Sequence, residues 1–338
     1  MRFVQLDPIR APARAADLIL RQRVAGYRAG DLDRAFPDLP LAEDYLHVYG
    51  VVPESVLTLL HPRSVPTRRR VEDEHPRLSA RVLAHVRRHG ETHPRDVAQA
   101  FGRVRTASDW GGDSTATTRI LEVLHHRGRL RVARRISGVK VYDIARPLAP
   151  ALASSARAQA LLSLLLELYA PLPEASFRQL ARMVTKSSLS PALCAKTLER
   201  MREGEDVRRL DVAGVPWLMP AGEALSADGD DRVRLLAPFD PVVWDRRRFA
   251  AFWGWDYRLE AYTPPGKRVF GYYALPLLWR DEAIGWANAL VTSGTLAADV
   301  HFVRAAPRAA AFRRELDAEL ERLRDCVGAA CVTARRVT

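Results

Sequence analysis

The residues most able to carry out chemistry lie at the start of the chain, in the segment FVQLDPIR. Gln5 and Asp7 are two positions apart, so in an extended stretch their side chains point to the same side. Pro8 then stiffens the turn into a predicted helix. A carboxylate and a carboxamide held side by side can position and activate one water molecule. The pattern alone favours a simpler interpretation, in which Asp7 caps the helix that follows.

A second polar set lies in the C-terminal third of the chain, where Asp240 and Asp245 flank a predicted turn. Glu260 stands between apolar positions, which indicates a buried ion-pair partner. Trp244 and Phe249 are predicted core residues. The same region carries a basic cluster of Arg246, Arg247, Arg248, Lys267 and Arg268. Its aromatic residues either stack on a nucleic-acid base or, as is more usual for strands, fill the core; they are Trp253, Trp255, Tyr257, Tyr272, Tyr273 and Trp279.

The chain of 338 residues has 52 Lys and Arg against 40 Asp and Glu, a net charge of +12. This surplus suits a polyphosphate partner because each neutralised phosphate releases counterions. A genome rich in arginine codons would produce the same surplus of arginine without such a partner. No apolar stretch predicts a membrane span or a signal peptide, and three scattered cysteines do not make a disulfide framework. The motifs for phosphate loops, dinucleotides, nucleophile elbows and zinc are missing. We therefore expect a reduced, cytoplasmic protein with no cofactor and no metal.

Residues 78–145 show the clearest hydrophobic periodicity. Apolar positions predict three helices, the third capped by Asp113 or Ser114 after a Gly111-Gly112 turn. Alternating residues around Ser137-Gly138 then predict a β-hairpin. Three helices and a hairpin indicate a winged helix-turn-helix, in which the third helix reads DNA and the hairpin is the wing. The predicted DNA contacts are Ser114, Thr115, Thr117, Thr118 and Arg119 on the helix and Arg129, Arg131, Arg134 and Arg135 on the wing.

The functional interpretation of this module has an alternative, and two nearby sequence features are weaker evidence for DNA binding. Winged helices also mediate protein contacts, so DNA binding is not the only interpretation. His125 and His126 are adjacent on the helix and face different directions, so we expect surface residues or DNA-proximal donors rather than a catalytic pair. The run Arg68-Arg69-Arg70 lies in a predicted linker and is more typical of a solvated stretch than of a specific contact.

The whole chain is predicted to be α+β: tandem winged-helix modules, a small β-rich C-terminal domain and a terminal helix. Residues 158–219 repeat the order of three helices and a hairpin, with the turn at Ala213-Gly214, which indicates an internal duplication. After a polar linker at 227–231, aromatic-rich segments between 234 and 303 predict short strands, among them 234–244 and 260–264. Residues 307–325 predict an amphipathic helix with Phe312, Leu316, Leu320 and Leu323 facing inward. Residues 1–60 are predicted to be mostly helical, with helices at 12–27, 31–36, 43–48 and 53–60. The predicted domains are therefore 1–70, 71–150, 151–226 and 227–338.

Together these segments resemble the AlkZ/YcaQ-like family of winged-helix DNA glycosylases. The resemblance spans nearly the whole chain, from FVQLDPIRAPARAADLILRQRV through DSTATTRILEVLHHRGRLRV to PFDPVVWDRRRF and DYRLEAY. It implies tandem winged helices around double-stranded DNA and a β-rich C-terminal part. The catalytic motif of the family, Gln, an apolar residue, then Gln or Asp, maps onto Gln5-Leu6-Asp7. Arg14, Arg247, Lys267 and Arg268 join the predicted DNA contacts.

The resemblance implies hydrolysis of the N-glycosidic bond of N7-alkylated purines in duplex DNA, with crosslink unhooking as an open question. An alkylated purine is already a good leaving group, so a carboxylate that stabilises the sugar cation and orients water suffices. No lysine lies near Asp7 in the sequence to form a Schiff base, so no strand-cleaving step is expected. We expect a monomeric, nucleoid-associated protein. A non-enzymatic DNA-binding regulator and a protein-interaction scaffold are the alternatives.

The chain departs from the family pattern in three places. The first predicted module has no leading helix before Gln5, and a misplaced start codon is one explanation. Ala16 stands where many relatives have a polar residue, often His. The stretch WANALVTSG after Gly285 lacks the Asp and Lys that relatives often carry there. These differences raise the prospect of another substrate range or a weaker activity.

Overall fold

The computed structural model describes residues 1–63, 69–107, 113–185, 188–223 and 229–337. The α-helices are α1 (Ala15–Leu20), α2 (Asp31–Ala35), α3 (Leu57–Leu60), α4 (Arg70–Glu74), α5 (Leu78–His89), α6 (Pro94–Phe101), α7 (Ala116–His126), α8 (Ser154–Tyr169), α9 (Glu174–Thr185), α10 (Pro191–Glu203), α11 (Arg246–Trp253) and α12 (Ala310–Val327). The strands are β1 (Val4–Gln5), β2 (Leu41–Tyr45), β3 (Tyr49–Pro53), β4 (Arg105–Ala107), β5 (Asp113–Thr115), β6 (Leu130–Ile136), β7 (Val139–Ile144), β8 (Leu172–Pro173), β9 (Val207–Val212), β10 (Val215–Pro220), β11 (Val233–Leu235), β12 (Leu275–Trp279), β13 (Glu282–Thr292), β14 (Thr295–Phe302) and β15 (Cys331–Val337). In these ranges no helix has both the length and the apolar character needed to cross a membrane.

The chain divides into two compact units. The first contains Met1–Phe3, Asp33–Leu165 and Arg178–Val207, and the second contains Val4–Leu32, Leu166–Phe177 and Arg208–Thr338. Each unit is therefore built from separated stretches of the chain.

The three helices and hairpin predicted over 78–145 are present in the first unit as α5, α6, α7 and the β6–β7 pair. Their core contains Val82 and Val86 of α5, Val97 of α6, and Ile120 and Leu121 of α7, all completely buried. The hairpin turn has positive φ at Ser137 (50°) and Gly138 (83°), the backbone of a type I′ turn, which matches the twist of the strands.

The predicted cap of α7 is wrong, because the helix begins later than the sequence indicated. Asp113–Thr115 form the short strand β5, which pairs antiparallel with β4. Thr115 is therefore the N-cap, and its hydroxyl accepts a hydrogen bond from the amide of Thr118 at 3.3 Å. The predicted Gly111-Gly112 turn lies outside the described residues.

A close backbone approach follows the end of α7 at Gly128. Its φ is +67°, and a Cβ there would lie 2.7 Å from Nδ1 of His61. The His61 ring cannot easily yield, because it is buried and its Nε2 lies 2.7 Å from the carboxylate of Asp44.

We expect Gly128→Ala to destabilise the protein by about 2–4 kcal/mol, the sum of left-handed strain and an overpacked contact. Urea unfolding measures this loss. Gly138→Ala is the matched control, because Gly138 also has positive φ but nothing within 4 Å of a Cβ, so it should lose only about 1–2 kcal/mol. Equal losses for the two variants would show that contact with His61 contributes nothing.

The predicted duplication is present in the order of elements. Helices α8, α9 and α10 are followed by β9 and β10, with positive φ at Ala213 (52°) and Gly214 (76°). A further likeness was not predicted. In each set the residues just before the second helix pair with the last strand of the hairpin: Thr92 with Tyr142, and Leu172–Pro173 with β10. Both hairpins thus gain a short third strand.

The first sixty residues are not mostly helical, which corrects the prediction. Leu41–Tyr45 and Tyr49–Pro53 form an antiparallel hairpin in the first unit, where helix had been predicted from Glu43 to Val48. The helix predicted from Pro12 to Tyr27 is confined to Ala15–Leu20. So short a segment does not distinguish strand from helix by periodicity, and the partners of the buried Glu43 and Asp44, Arg135 and His61, lie far along the chain.

The C-terminal part of the second unit contains a five-stranded sheet in the order β11-β12-β13-β14-β15. Strands β14 and β15 are parallel, with α12 as the crossover between them. The predicted inward residues of α12 are confirmed, since Phe312, Leu316, Leu320 and Leu323 are buried. Residues 239–244 and 260–264 are turns rather than the predicted strands, and the helix α11 and strand β15 were not predicted.

Candidate active site

Gln5 and Asp7 lie at the start of the second unit, where the strand Val4–Gln5 ends. Asp7 does not cap a helix, because α1 begins at Ala15 with Arg14 as its N-cap. Its Oδ1 instead accepts a hydrogen bond from the amide of Ile9 at 2.9 Å, a local turn that Asp side chains favour. Its Oδ2 accepts no hydrogen bond from the described residues. The helix-cap interpretation of the sequence is thus wrong.

The carboxamide of Gln5 has unused hydrogen-bonding capacity. Its Oε1 is buried, and no hydrogen-bond donor reaches it within the part of the chain that the structure describes. A buried polar atom without a partner costs free energy, and unsatisfied groups of this kind call for an explanation such as a functional role or a water molecule. Gln5 therefore fits the predicted role of holding a water molecule.

Burial raises the pKa of the Asp7 carboxyl, and the hydrogen bond from Ile9 opposes the shift. Across the same unit, the phenol of Tyr273 is buried, and its pKa is raised first by burial and next by the charge of Asp7. The Tyr273 hydroxyl also has no hydrogen-bond partner among the described residues. Gln5 and Tyr273 thus each carry a buried polar atom that lacks a partner among the described residues of the second unit.

The raised pKa of Asp7 gives a pH prediction. If ionised Asp7 drives the reaction, the rate falls as pH decreases through its pKa, so the acid limb should have its midpoint above about 4, the ordinary value for Asp. Single-turnover rates of base release between pH 4 and 8 measure it, after subtraction of spontaneous depurination. DNA affinity over the same range is the control. A rate that does not fall down to pH 4, with affinity unchanged, would contradict the assignment.

The four cationic residues of the second unit that are predicted to contact DNA differ in their surroundings. Arg14 is engaged, since its Nε lies 3.2 Å from the buried Asp17 carboxylate. Lys267 and Arg247 are exposed. Arg268 donates to the carbonyl of Thr263 at 2.8 Å and lies over the ring of Tyr272.

Other predictions for the second unit can be judged from burial. Arg248 does not belong to an exposed basic cluster, because it is buried and donates to the carbonyls of Tyr169 and Pro241. Glu260 is a buried ion-pair partner as predicted, with Arg258 at 3.0 Å. Phe249 is in the core as predicted, surrounded by the rings of Trp253, Trp255 and Tyr257.

Only some of the residues predicted to contact DNA at the start of α7 are accessible. Thr117 is 2% exposed, so it is a core residue and the predicted DNA contact is wrong for this structure. The hydroxyls of Thr117 and Thr118 both lie within hydrogen-bond distance of Thr115 Oγ1. Ser114 is half-buried, and Arg119 forms an ion pair with Glu122 at 2.6 Å.

The predicted wing arginines fall into two groups. Arg135 does not project toward a ligand, because it makes a two-pronged ion pair with the buried Glu43 at 2.6 and 2.7 Å. Arg131 pairs with Asp143 and Arg134 with Glu91 at partly exposed positions, where such pairs are weak. Arg129 is exposed and has no ion-pair partner in the described ranges. Arg129 and Arg134 are thus the wing cations best placed to contact a phosphate.

Two further predictions concern the ends of α7 and the basic run. His125 is buried and its Nε2 lies 2.9 Å from the carbonyl of Glu43, so it is neither a surface residue nor a DNA-proximal donor. His126 is half-buried. In the Arg68–Arg70 run, Arg69 caps α4 and Arg70 pairs with Glu74 in the same helix, whereas Arg68 lies outside the described residues.

Sequence reasoning gave Tyr273 only as one aromatic among six. The burial of its hydroxyl and the effect of the Asp7 charge on it had no signal in the sequence, because both depend on how distant segments fold together. Ala16, noted for its difference from relatives, is 1% exposed within α1. A buried methyl at this position supplies no polar group to the site.

Comparison with known proteins agrees with this architecture. The family model of the AlkZ-like DNA glycosylases matches residues 1–326. Among solved structures, the DNA glycosylase AlkZ of Streptomyces sahachiroi is similar, with a TM-score of 0.62 at 15% sequence identity, over 99% of this chain and 91% of that one. At this identity the structural likeness shows a shared α+β fold, while the family match covers nearly the entire sequence. This protein therefore belongs to the AlkZ-like DNA glycosylase family.

Proposed function

We propose that the protein is a monofunctional DNA glycosylase that removes N7-alkylated purines from duplex DNA, with Asp7 and Gln5 as its catalytic residues. The observation that carries the proposal is the buried, unsatisfied Gln5 Oε1, two residues from the half-buried Asp7, in a chain that belongs to the AlkZ-like DNA glycosylase family. A site that keeps an acceptor free of protein partners is suited to hold a water molecule.

The proposed reaction breaks one bond and forms another. The bond between the deoxyribose C1′ and N9 of the purine breaks, and its electron pair neutralises the positive charge of the alkylated base. Asp7 stabilises the cationic sugar and accepts a proton from the water held by Gln5. The water oxygen then bonds to C1′. The products are the free base and an abasic site, and the strand stays intact.

DNA is proposed to be held by two winged-helix modules, residues 71–150 and 151–226. Support comes from the repeated helix and hairpin order and from the exposed wing residues Arg129 and Arg134. Binding through phosphates releases counterions, so affinity should fall steeply with salt. A salt-independent affinity would favour the scaffold alternative.

The decisive experiment is base release from a duplex containing a single N7-methylguanine. Free base is separated by chromatography, and strands are analysed with and without alkali. We expect free base, strand breaks only after alkali, and none with an unmodified duplex. DNA binding without base release would instead support a non-enzymatic regulator. A duplex with an N7-linked interstrand crosslink in the same assay tests unhooking.

A further inference from the structure

The solvent-facing side of α5 carries positive charge without any negative charge. The helix contains no acidic residue. Arg77, which is its N-cap, lies within about 40° of Arg81 and Arg88 around the helix axis, and all three are exposed. We call these three arginines the α5 stripe. Within the described ranges none of them forms an ion pair. The other exposed residues of the helix are Ala80, Ala84, Arg87 and His89.

A general excess of arginine in the chain does not explain this pattern, because another helix of the same chain mixes both signs. Opposite charges three or four residues apart stabilise a solvated helix, and α12 has such a pair in Glu321 and Arg324. The α5 stripe lacks this stabilisation, so it suits a polyanionic partner that supplies the negative charge. The exposed charged residues of α12 are Arg313, Arg314, Asp317, Glu321, Arg322 and Asp325.

The helix that enters the major groove in many winged-helix proteins is covered in the first unit. Every residue of α7 is buried or half-buried. The β2–β3 hairpin lies against it: the Glu43 carbonyl is 2.9 Å from Nε2 of His125, and the ring centroids of Tyr45 and His126 are 5.5 Å apart. A duplex cannot receive α7 unless this hairpin moves away. The module must therefore contact DNA through another surface.

The α5 stripe and the wing lie next to each other in the first unit. Arg134 of β6 pairs at 2.7 Å with Glu91, which follows α5 by two residues. At the other end of the helix, Glu74 is already paired with Arg70 at 2.6 Å. The acidic residues that border α5 therefore have partners other than the stripe, and the wing continues its basic surface.

The length of the α5 stripe fits the DNA backbone. Arg77 and Arg88 are eleven residues apart, which is about 16 Å along a helix. The minor groove of B-DNA is about 6 Å wide, so arginines at the two ends of the stripe can reach phosphates on both sides of it. Such contacts fix the orientation of a protein on DNA without reading the sequence.

We propose that the α5 stripe, rather than α7, is the DNA-backbone contact of this module, with Arg77 and Arg88 on phosphates at opposite sides of a minor groove and the wing beside them. The proposal rests on the proposed function only in taking duplex DNA as the partner, and it does not involve Asp7. An enzyme that acts on scattered lesions requires contacts of this sequence-independent kind.

The test compares the full wild-type chain with Arg77→Gln/Arg88→Gln on an undamaged duplex. Fluorescence anisotropy measures the affinity from about 50 to 200 mM salt. Loss of two phosphate contacts should make the slope of log affinity against log salt shallower by about 2 and weaken binding about 10- to 100-fold near 0.1 M salt. Arg81 is kept, because its guanidinium lies 4.8 Å from the centroid of the Phe101 ring.

Two further variants separate phosphate contact from other effects. Arg77→Lys/Arg88→Lys should keep the affinity within about threefold, because an ammonium still contacts a phosphate as a point charge. Arg313→Gln/Arg314→Gln is the matched control, because it removes the same charge from exposed positions of α12. It should change the affinity less than about threefold and the slope by less than about 1.

Equal effects of the two glutamine double variants would overturn the proposal, because the loss of net charge alone would then explain both. Wild-type affinity and slope in Arg77→Gln/Arg88→Gln would also overturn it, and would leave an acidic protein segment as the partner of the stripe. Base release by a chain whose DNA affinity does not depend on the stripe would refute this interface alone. Stripe-dependent DNA binding by a chain that releases no base would refute the glycosylase assignment alone.

Discussion

Asp7→Asn is expected to lower the single-turnover rate of base release by about 10²- to 10⁴-fold, the usual contribution of a general base. The amide keeps the size of the carboxylate and can still accept the hydrogen bond from the Ile9 amide. It cannot accept a proton from water or stabilise a cationic sugar. Single-turnover kinetics on the N7-methylguanine duplex measure the rate, and fluorescence anisotropy measures the affinity, which should change less than threefold.

Thermal unfolding is the control for misfolding. The raised pKa of Asp7 predicts the sign of the change in stability. Burial raises the pKa of Asp7 in the folded protein, so the ionised form is less favourable there than in the unfolded chain. This cost is absent below the unfolded pKa and fully present above the folded one. At pH 7 the asparagine variant should therefore be at least as stable as the wild type. A fully active and stable Asp7→Asn protein would refute the catalytic assignment.

Glu319→Ala should produce the largest loss of stability. The Glu319 carboxylate is completely buried and its Oε1 accepts hydrogen bonds from Arg21, Gln22 and the amide of Leu235, at 2.7, 2.9 and 2.7 Å. Removing it leaves the buried Arg21 without its anion, which costs about 3–5 kcal/mol. Urea unfolding monitored by circular dichroism measures the change.

Two variants separate the lost charge from other effects. Glu321→Ala removes a carboxylate from the same helix that is 48% exposed, and it should cost less than about 1 kcal/mol. The double variant Arg21→Met/Glu319→Leu removes both charges and fills the space, so it should be more stable than Glu319→Ala alone. Were the double variant less stable than Glu319→Ala, an unpaired Arg21 would not explain the loss.

The sequence by itself determined the elements whose pattern is local. The apolar faces of α5, α7 and α12 repeat every three to four residues, and the alternating hairpins carry turn residues that accept positive φ. These properties depend only on near neighbours in the chain, so they could be predicted from the residues alone. The motif Gln5-Leu6-Asp7 was predicted as a site on the same basis, through its resemblance to a family.

Only the tertiary structure decided which polar residues remain accessible for contacts with DNA. Arg135, Thr117 and His125 are of types that suit DNA contacts, yet the first pairs with the buried Glu43 and the others lie in the core. Tyr273 comes within range of the Asp7 charge only because residues 4–32 and 208–338 fold into one unit. The physical reason is that burial and charge pairing depend on segments distant in the sequence, which a local pattern cannot encode.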